Sequence, residues 1–307
     1  MAPQRPAGPD GVLLLDKPAG WTSHDVVARA RRWCGTRKIG HAGTLDPMAT
    51  GLLILGIGKG TRLLTWLTAA DKGYSATVRL GSGTPSDDAD SEPDRFADAA
   101  ELQAVDEQRV DAALEALRGD IEQVPSTVSA IKIDGVRAYA RARAGEAVDI
   151  PARRVTVSRL ERGPLRRAAD GQIDFVLQVD CSSGTYIRAI ARDLGAVLGV
   201  HGHLRRLRRG RIGGFRVEQA LAVPGRDEEP SPPALIPLAE AAAATMPVRE
   251  LTADEARALG YGQRVTASGV PGPVAAVLPC QGGRELVAVL EDQAGKAKPA
   301  VVFAPAS

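Results

Sequence analysis

The chain has 307 residues, 44% of them hydrophobic, enough to bury a substantial core, and its length suits one large domain with a smaller companion. No apolar run approaches the length of a signal peptide or a membrane span, Leu52 to Leu55 being typical. A soluble, cytoplasmic protein with no membrane partner is therefore expected. The three cysteines, Cys34, Cys181 and Cys280, are widely spaced without a CxxC pair, which suits a reducing compartment and offers no structural zinc site.

Net charge is only +2, but the charges are sorted along the chain. Residues 86 to 122 carry thirteen Asp and Glu against three Arg, and residues 131 to 167 carry ten Lys and Arg against four acids. Residues 203 to 216 hold Arg205, Arg206, Arg208, Arg209, Arg211 and Arg216 and no acid. A stretch of that kind either lies on a solvated face or neutralises phosphates, with Arg205, Arg208 and Arg211 as candidate RNA phosphate contacts.

Along the chain, a flexible N-terminus (1–10) precedes GVLLLD, a short apolar run closed by Lys-Pro-Ala-Gly that reads as a buried strand. Thr22 or Ser23 then caps a helix presenting Val26, Val27, Ala30 and Trp33, stopped at Gly35. A Gly-rich loop, RKIGHAGTLDPMATG, leads into a second buried strand, LLILGIG. Tyr74, Ala76, Val78 and Leu80 alternate with polar residues and predict a half-buried strand. An acidic loop follows, then a helix over roughly 106 to 118. SAIKIDGVRAYA reads as a strand, an Asp-Gly turn and a helix, and two β-rich runs lie at 153–160 and 173–181. Ile187, Ile190, Ala191, Leu194 and Leu198 form a helical stripe ahead of the arginine-rich strand.

Around 222 to 247 a Pro, Ala and acid-rich composition predicts a connector, and short β runs after it predict a small barrel-like tail. The fold class expected is α+β, because strands cluster instead of alternating with helices; the sheet should be mixed and mostly antiparallel.

Nucleotide and hydrolase signatures fail. GIGKGT (56–61) matches neither G-x-x-x-x-G-K-[ST] nor G-x-G-x-x-G, and neither HExxH nor GxSxG occurs. What remains is HAGTLDPMATG (41–51). Read alone, its Asp46 caps a turn before Pro47, a common job for Asp-Pro.

This segment resembles the catalytic motif of the TruB-type tRNA pseudouridine synthases. Further blocks follow in the same order: GVLLLDKPAGWTS (11–23), DKGYSATVRLG (71–81), SAIKIDGVRAYARARAG (129–145), GTYIRAIARDLG (184–195) and LRRL (204–207). The family has Gly after the final Asp of the acidic loop, where this chain has Ser91. The resemblance implies a catalytic domain over 11–240 and a β-rich, PUA-like RNA-binding domain over 247–307. It further implies isomerisation of the T-loop uridine conventionally numbered 55, with the T arm of tRNA as partner and no obligate protein partner. No metal, nucleotide or redox cofactor is implied.

By the same resemblance Asp46 is the nucleophile, Arg188 the guanidinium that orients it and lowers its pKa, and Tyr74 the aromatic that stacks on the uracil and relays a proton. Tyr186 and Leu207 line the uracil pocket, and His41 fills the space left by flipped-out nucleotides. Asp88 and Lys17 fall in matching blocks, where a solvated loop Asp and a turn-stabilising Lys are equally good readings. A catalytically silent tRNA-folding or RNA-binding protein on the same scaffold is the rival reading; Asp46, Tyr74 and Arg188 together weigh against it.

Overall fold

A computed structural model describes residues 8–126 and 150–304, together with the paired backbone segments Lys132–Ile133 and Val136–Arg137. The apolar strand Gly11–Lys17 pairs antiparallel along its whole length with Thr50–Ile57, from Gly11↔Ile57 to Lys17↔Gly51. These strands open an 11-stranded sheet. Its path runs Leu221–Ala222, Gly11–Lys17, Thr50–Ile57, Gly202–Ile212, Lys72–Leu80, Ile173–Cys181, Arg153–Arg162, Gly119–Gln123. Only the pairings of Gly11–Lys17 with Leu221–Ala222 and of Gly202–Ile212 with Thr50–Ile57 run parallel along that path, so the sheet is mixed and mostly antiparallel, as expected.

The parallel contact depends on Gly51. Its φ is +102°, and a Cβ there would lie 2.3 Å from the Arg209 carbonyl oxygen, so any other residue would push the arginine-rich strand away from Thr50–Ile57.

Two of the helices that pack on this sheet position the site. Ser23–Trp33 begins with a capping box between Thr22 and Asp25 and buries Val26, Val27 and Ala30 against Leu13, Leu15, Leu53 and Leu55. Ile187–Leu198 buries Ile187, Ile190, Ala191 and Leu194 against Val78, Leu80 and Leu204, and ends at Gly199 in the left-handed conformation (φ +77°). The Lys72–Leu80 strand alternates strictly between buried and half-buried residues, so Tyr74 shares a face with Val78 and Leu80.

Several sequence expectations need amendment. The acidic segment holds two helices, Ala99–Gln103 and Glu107–Glu115, capped by Asp98 and Asp106, and Gly119 opens a strand. Lys132–Ile133 pairs with Val136–Arg137 around the expected Asp-Gly step, while the helix expected after it lies outside the described residues.

Residues 222 to 247 form a connector that is exposed over 226–232 and tied down on either side. Ile236 bridges to Val12, Arg29 donates from Nε to the carbonyls of Pro224 and Gly225, and the helix Leu238–Ala243 buries Ala239, Ala241 and Ala242. Small side chains, which composition reads as loose, let that helix lie close to the sheet.

The C-terminal region forms a five-stranded sheet ordered Val248–Glu250, Val274–Cys280, Gly283–Gln293, Lys296–Val302, Val265–Thr266, with the helix Ala253–Gly260 beside it. Val248–Glu250 and that helix escaped the sequence reading. Ala275, Val277, Leu286, Val289 and Phe303 join Val12, Leu52, Ile212 and Phe215 in one apolar cluster, so the two sheets share a core. Deleting residues 247–307 is therefore expected to lower the thermal midpoint of what remains, since it uncovers that cluster. A truncated chain melting at the parent temperature would show the catalytic sheet to be independent. No helix among the described residues is long and apolar enough to cross a membrane.

Candidate active site

Asp46 sits in the loop between Ile39–His41 and Thr50–Ile57, a loop held from three sides. Ser23 Oγ accepts from Leu45 N at 2.9 Å and donates to Leu45 O at 3.2 Å. Gly20 N donates to Pro47 O at 2.9 Å. Lys17, fully buried, donates from Nζ to the carbonyls of Pro18, Trp21 and Pro47 at 3.0, 2.6 and 3.2 Å. Lys17 thus ties the loop that carries Asp46 to the end of the first strand, and it is not among the residues lining the cavity that Asp46 faces. Burial lowers its pKa to about 8 against the pull of Asp46.

Arg188 comes from the first turn of Ile187–Leu198 and is 3% exposed. It grips Asp46 with two nitrogens, Nε to Oδ2 at 2.9 Å and Nη2 to Oδ1 at 3.2 Å. The third nitrogen, Nη1, donates to Ser86 O at 2.7 Å and lies 3.4 Å from Asp88 Oδ2. Asp88 is buried, not solvated, and accepts from Ser86 Oγ at 2.6 Å and Asp90 N at 3.0 Å. Its contact with the site runs through Arg188.

Burial is the largest influence on Asp46 and raises its pKa; Arg188 and Lys17 pull it down, Asp88 pushes it up, and the net direction is upward. Arg188 thus acts in the expected sense, and burial opposes it. If Asp46 acts as an ionised nucleophile, activity is present above its pKa and lost as pH falls through it. The acid limb of kcat/KM should therefore lie above the ordinary carboxylate range. Asp88→Asn removes one negative neighbour and is expected to move that limb to lower pH; an unmoved limb would leave burial alone in control.

Asp46 borders a cavity of about 430 Å³ lined by Tyr74, Tyr186, Arg188, Leu207 and Arg209 among others, so four sequence candidates converge on it with Asp46. Tyr74 is buried, its hydroxyl accepts from the Arg209 side chain, and burial raises its pKa, so the phenol stays protonated at neutral pH. Tyr186 caps the Arg188 helix and exchanges two backbone hydrogen bonds with the Gln123 side chain, 2.8 and 3.1 Å long. His41 stands outside the cavity lining, its ring edge-on to His24 with centroids 5.8 Å apart. Arg209 was missed as a site residue, hidden in a run of arginines.

Arg205, Arg208 and Arg211 lie at the exposed or half-exposed positions of their strand, but none is free. Arg205 pairs with Asp174 at 3.0 Å, Arg208 with Asp16 at 2.7 Å and Arg211 with Asp180 at 2.6 Å. The stretch lacks acids along the chain and acquires them in space from neighbouring strands.

Among solved structures, a chain of a Cbf5–Nop10–Gar1 complex superposes with a TM-score of 0.70 and 25% identity, covering 96% of this chain and 85% of that one. A chain of an archaeal box H/ACA sRNP Nop10–Cbf5 complex gives 0.67 at 24% identity, covering 98% and 88%, which speaks for the fold alone. Fold and sequence relatives together define a pseudouridine synthase, an isomerase that makes pseudouridine in tRNA. The profile of the TruB family pseudouridylate synthase N-terminal domain matches residues 31–187, that of the tRNA pseudouridine synthase II C-terminal domain matches residues 246–304, and the chain belongs to the TruB family. The tRNA pseudouridine synthase B of Thermobifida fusca (strain YX) is 53% identical over 298 residues, covering 96% of this chain and 99% of the relative. That of Mycolicibacterium paratuberculosis is 52% identical over 300 residues, covering 97% and 99%.

Proposed function

We propose that this isomerase acts on the T-loop uridine conventionally numbered 55, gripping the T arm of tRNA in the cytoplasm, with Asp46 as the nucleophile. The observation that carries this reading is the Asp46 carboxylate, gripped at two oxygens by a buried arginine and facing a cavity walled by two tyrosines and a leucine. The reaction breaks the bond from N1 of uracil to C1′ of ribose and makes one from C5 to C1′; N1 gains a proton, C5 loses one, and nothing is oxidised. An ionised carboxylate suits either attack at C1′ or stabilisation of positive charge there.

The base must first leave its stack, at a cost of a few kcal/mol. Tyr74 and Tyr186 offer the flipped uracil aromatic walls, Leu207 an apolar one, and His41, beside the loop, a group that can occupy the vacated space. The catalytic domain is taken as 11–240 and the tail, 247–307, as PUA-like; the tail would add contacts to the tRNA backbone.

Incubating the purified protein with unmodified tRNA transcript and mapping pseudouridine at nucleotide resolution tests the reading. Product at the T-loop uridine is expected, and product elsewhere only, with folded RNA, would overturn the assignment. If Arg205, Arg208 and Arg211 leave their aspartates for phosphates, changing all three to Ala should weaken tRNA binding. It should also flatten the slope of log K against log salt by about 0.9 per lost contact. An unchanged slope would mean that these arginines serve only Asp174, Asp16 and Asp180.

A further inference from the structure

The cavity beside Asp46 gathers several charged groups. Arg188 holds Asp46, with Asp88 and the buried Lys17 close by. The lining also includes two buried cations, Lys72, 6% exposed, and Arg209, 1% exposed. They converge: a methyl group built on Gly43 would lie 3.6 Å from Arg209 Nη1 and 3.7 Å from Lys72 Cε.

Neither cation pairs with a carboxylate among the described residues. Lys72 Nζ donates to Thr68 O at 2.8 Å and Ala70 O at 2.7 Å, which uses two of its three protons. Arg209 donates from Nε to Leu52 O at 2.8 Å, from Nη2 to Gly43 O at 3.1 Å, at a long 3.5 Å from Nη1 to Thr44 O, and to the Tyr74 hydroxyl. Burying two adjacent cations without a counter-charge is costly. Arg209 also ties the carbonyls of Gly43 and Thr44 in the loop that carries Asp46, whereas the Asp46 carboxylate itself is held by Arg188.

Isomerisation supplies the missing anion. When the N1–C1′ bond breaks, its electron pair goes to the base, whose negative charge spreads over O2 and O4, while positive charge or a covalent bond develops at C1′. Closing the C5–C1′ bond returns that pair and releases the C5 proton. We propose that Lys72 and Arg209 contact the carbonyl edge of the detached uracil and stabilise its negative charge, opposite the carboxylate that handles the ribose. Fixed donors in a water-poor site interact most strongly with charge that exists only during reaction, so the gain falls on the chemical step and not on tRNA binding. The assignment rests on the uridine isomerisation proposed for this cavity.

The charge state of Lys72 makes this testable. Burial, helped by Arg209 from the neighbouring strand and opposed by Cys181 and Asp71, lowers its pKa to about 8. Lys72 is charged below that pH and neutral above it, so kcat/KM of the parent enzyme should fall as pH rises through about 8. Lys72→Met is expected to slow single-turnover pseudouridine formation by about 10²–10³, the scale of losing one such donor, with tRNA affinity within about threefold of the parent. Lys72→Arg should recover part of the rate and lose the Lys72 share of the alkaline limb, which a merely structural role would not produce. Because Lys17 also titrates near 8, the contribution of Lys72 is read as the difference between the parent and Lys72→Arg profiles. A Met variant that reacts within threefold of the parent, a defect lying wholly in affinity, or identical alkaline limbs in the parent and Lys72→Arg would each overturn the proposal. Should Lys72→Met fail to fold, the parent and Lys72→Arg pH profiles still decide it. A parent that makes no pseudouridine in the same assay would instead remove the isomerase reading on which this rests.

Discussion

Asp46→Asn is expected to abolish pseudouridine formation while leaving tRNA affinity within about tenfold, or about 1.4 kcal/mol. The side chain keeps its volume and one oxygen for Arg188, and the loop keeps its ties to Ser23, Gly20 and Lys17, so the fold should survive. What disappears is the charge. An amide cannot attack C1′ or balance positive charge on the ribose, and it leaves Arg188 with Asp88 as its remaining carboxylate partner. The loss should therefore fall on the single-turnover rate. Residual activity above a few per cent of the parent, in protein free of deamidated material, would remove Asp46 as nucleophile.

The chain's own pattern made much of this site legible, and where it failed the reasons are physical. Asp46 and Arg188 stand 142 residues apart, and no periodicity could pair them; the family resemblance did so because both motifs were present in order. The alternating strand through Tyr74 and the stripe of the Arg188 helix were plain because each buries one face only. Arg209 was hidden for the opposite reason. Its strand carries register shifts between Leu204 and Arg206 and between Arg209 and Arg211, so strict alternation cannot say which arginine points inward. Lys17 looked like a turn residue because a cation after an apolar run is usually solvated; its burial is bought by carbonyls contributed partly from a loop thirty residues away. Nor could a charge count along the chain foresee that Asp16, Asp174 and Asp180 would come alongside the arginine strand.

The second large effect concerns Tyr74, whose ring and hydroxyl can be separated by changing one atom. Tyr74→Phe keeps the aromatic face beside Val78 and Leu80, and base stacking is worth roughly 1–3 kcal/mol per base, so tRNA affinity should be largely retained. The hydroxyl is another matter. It accepts a hydrogen bond from the Arg209 side chain, and burial holds it protonated, so it serves as a donor or a relay and not as a resting base. Removing it leaves Arg209 without one of its few polar partners in the cavity as well as removing the group itself. If the hydroxyl moves a proton between N1 or C5 of the base and its surroundings, Tyr74→Phe should lose about 10²–10⁴ in single-turnover rate, the usual scale of general acid–base work. Tyr74→Leu should add a loss of binding, because no ring remains to stack. Rate and affinity would then separate across the two variants, which a residue that only fills the core could not produce. A Phe variant that reacts at the parent rate would make Tyr74 a stacking platform and leave proton transfer to Asp46 or water. A Leu variant that binds and reacts normally would return Tyr74 to the core cluster it shares with Val78 and Leu80.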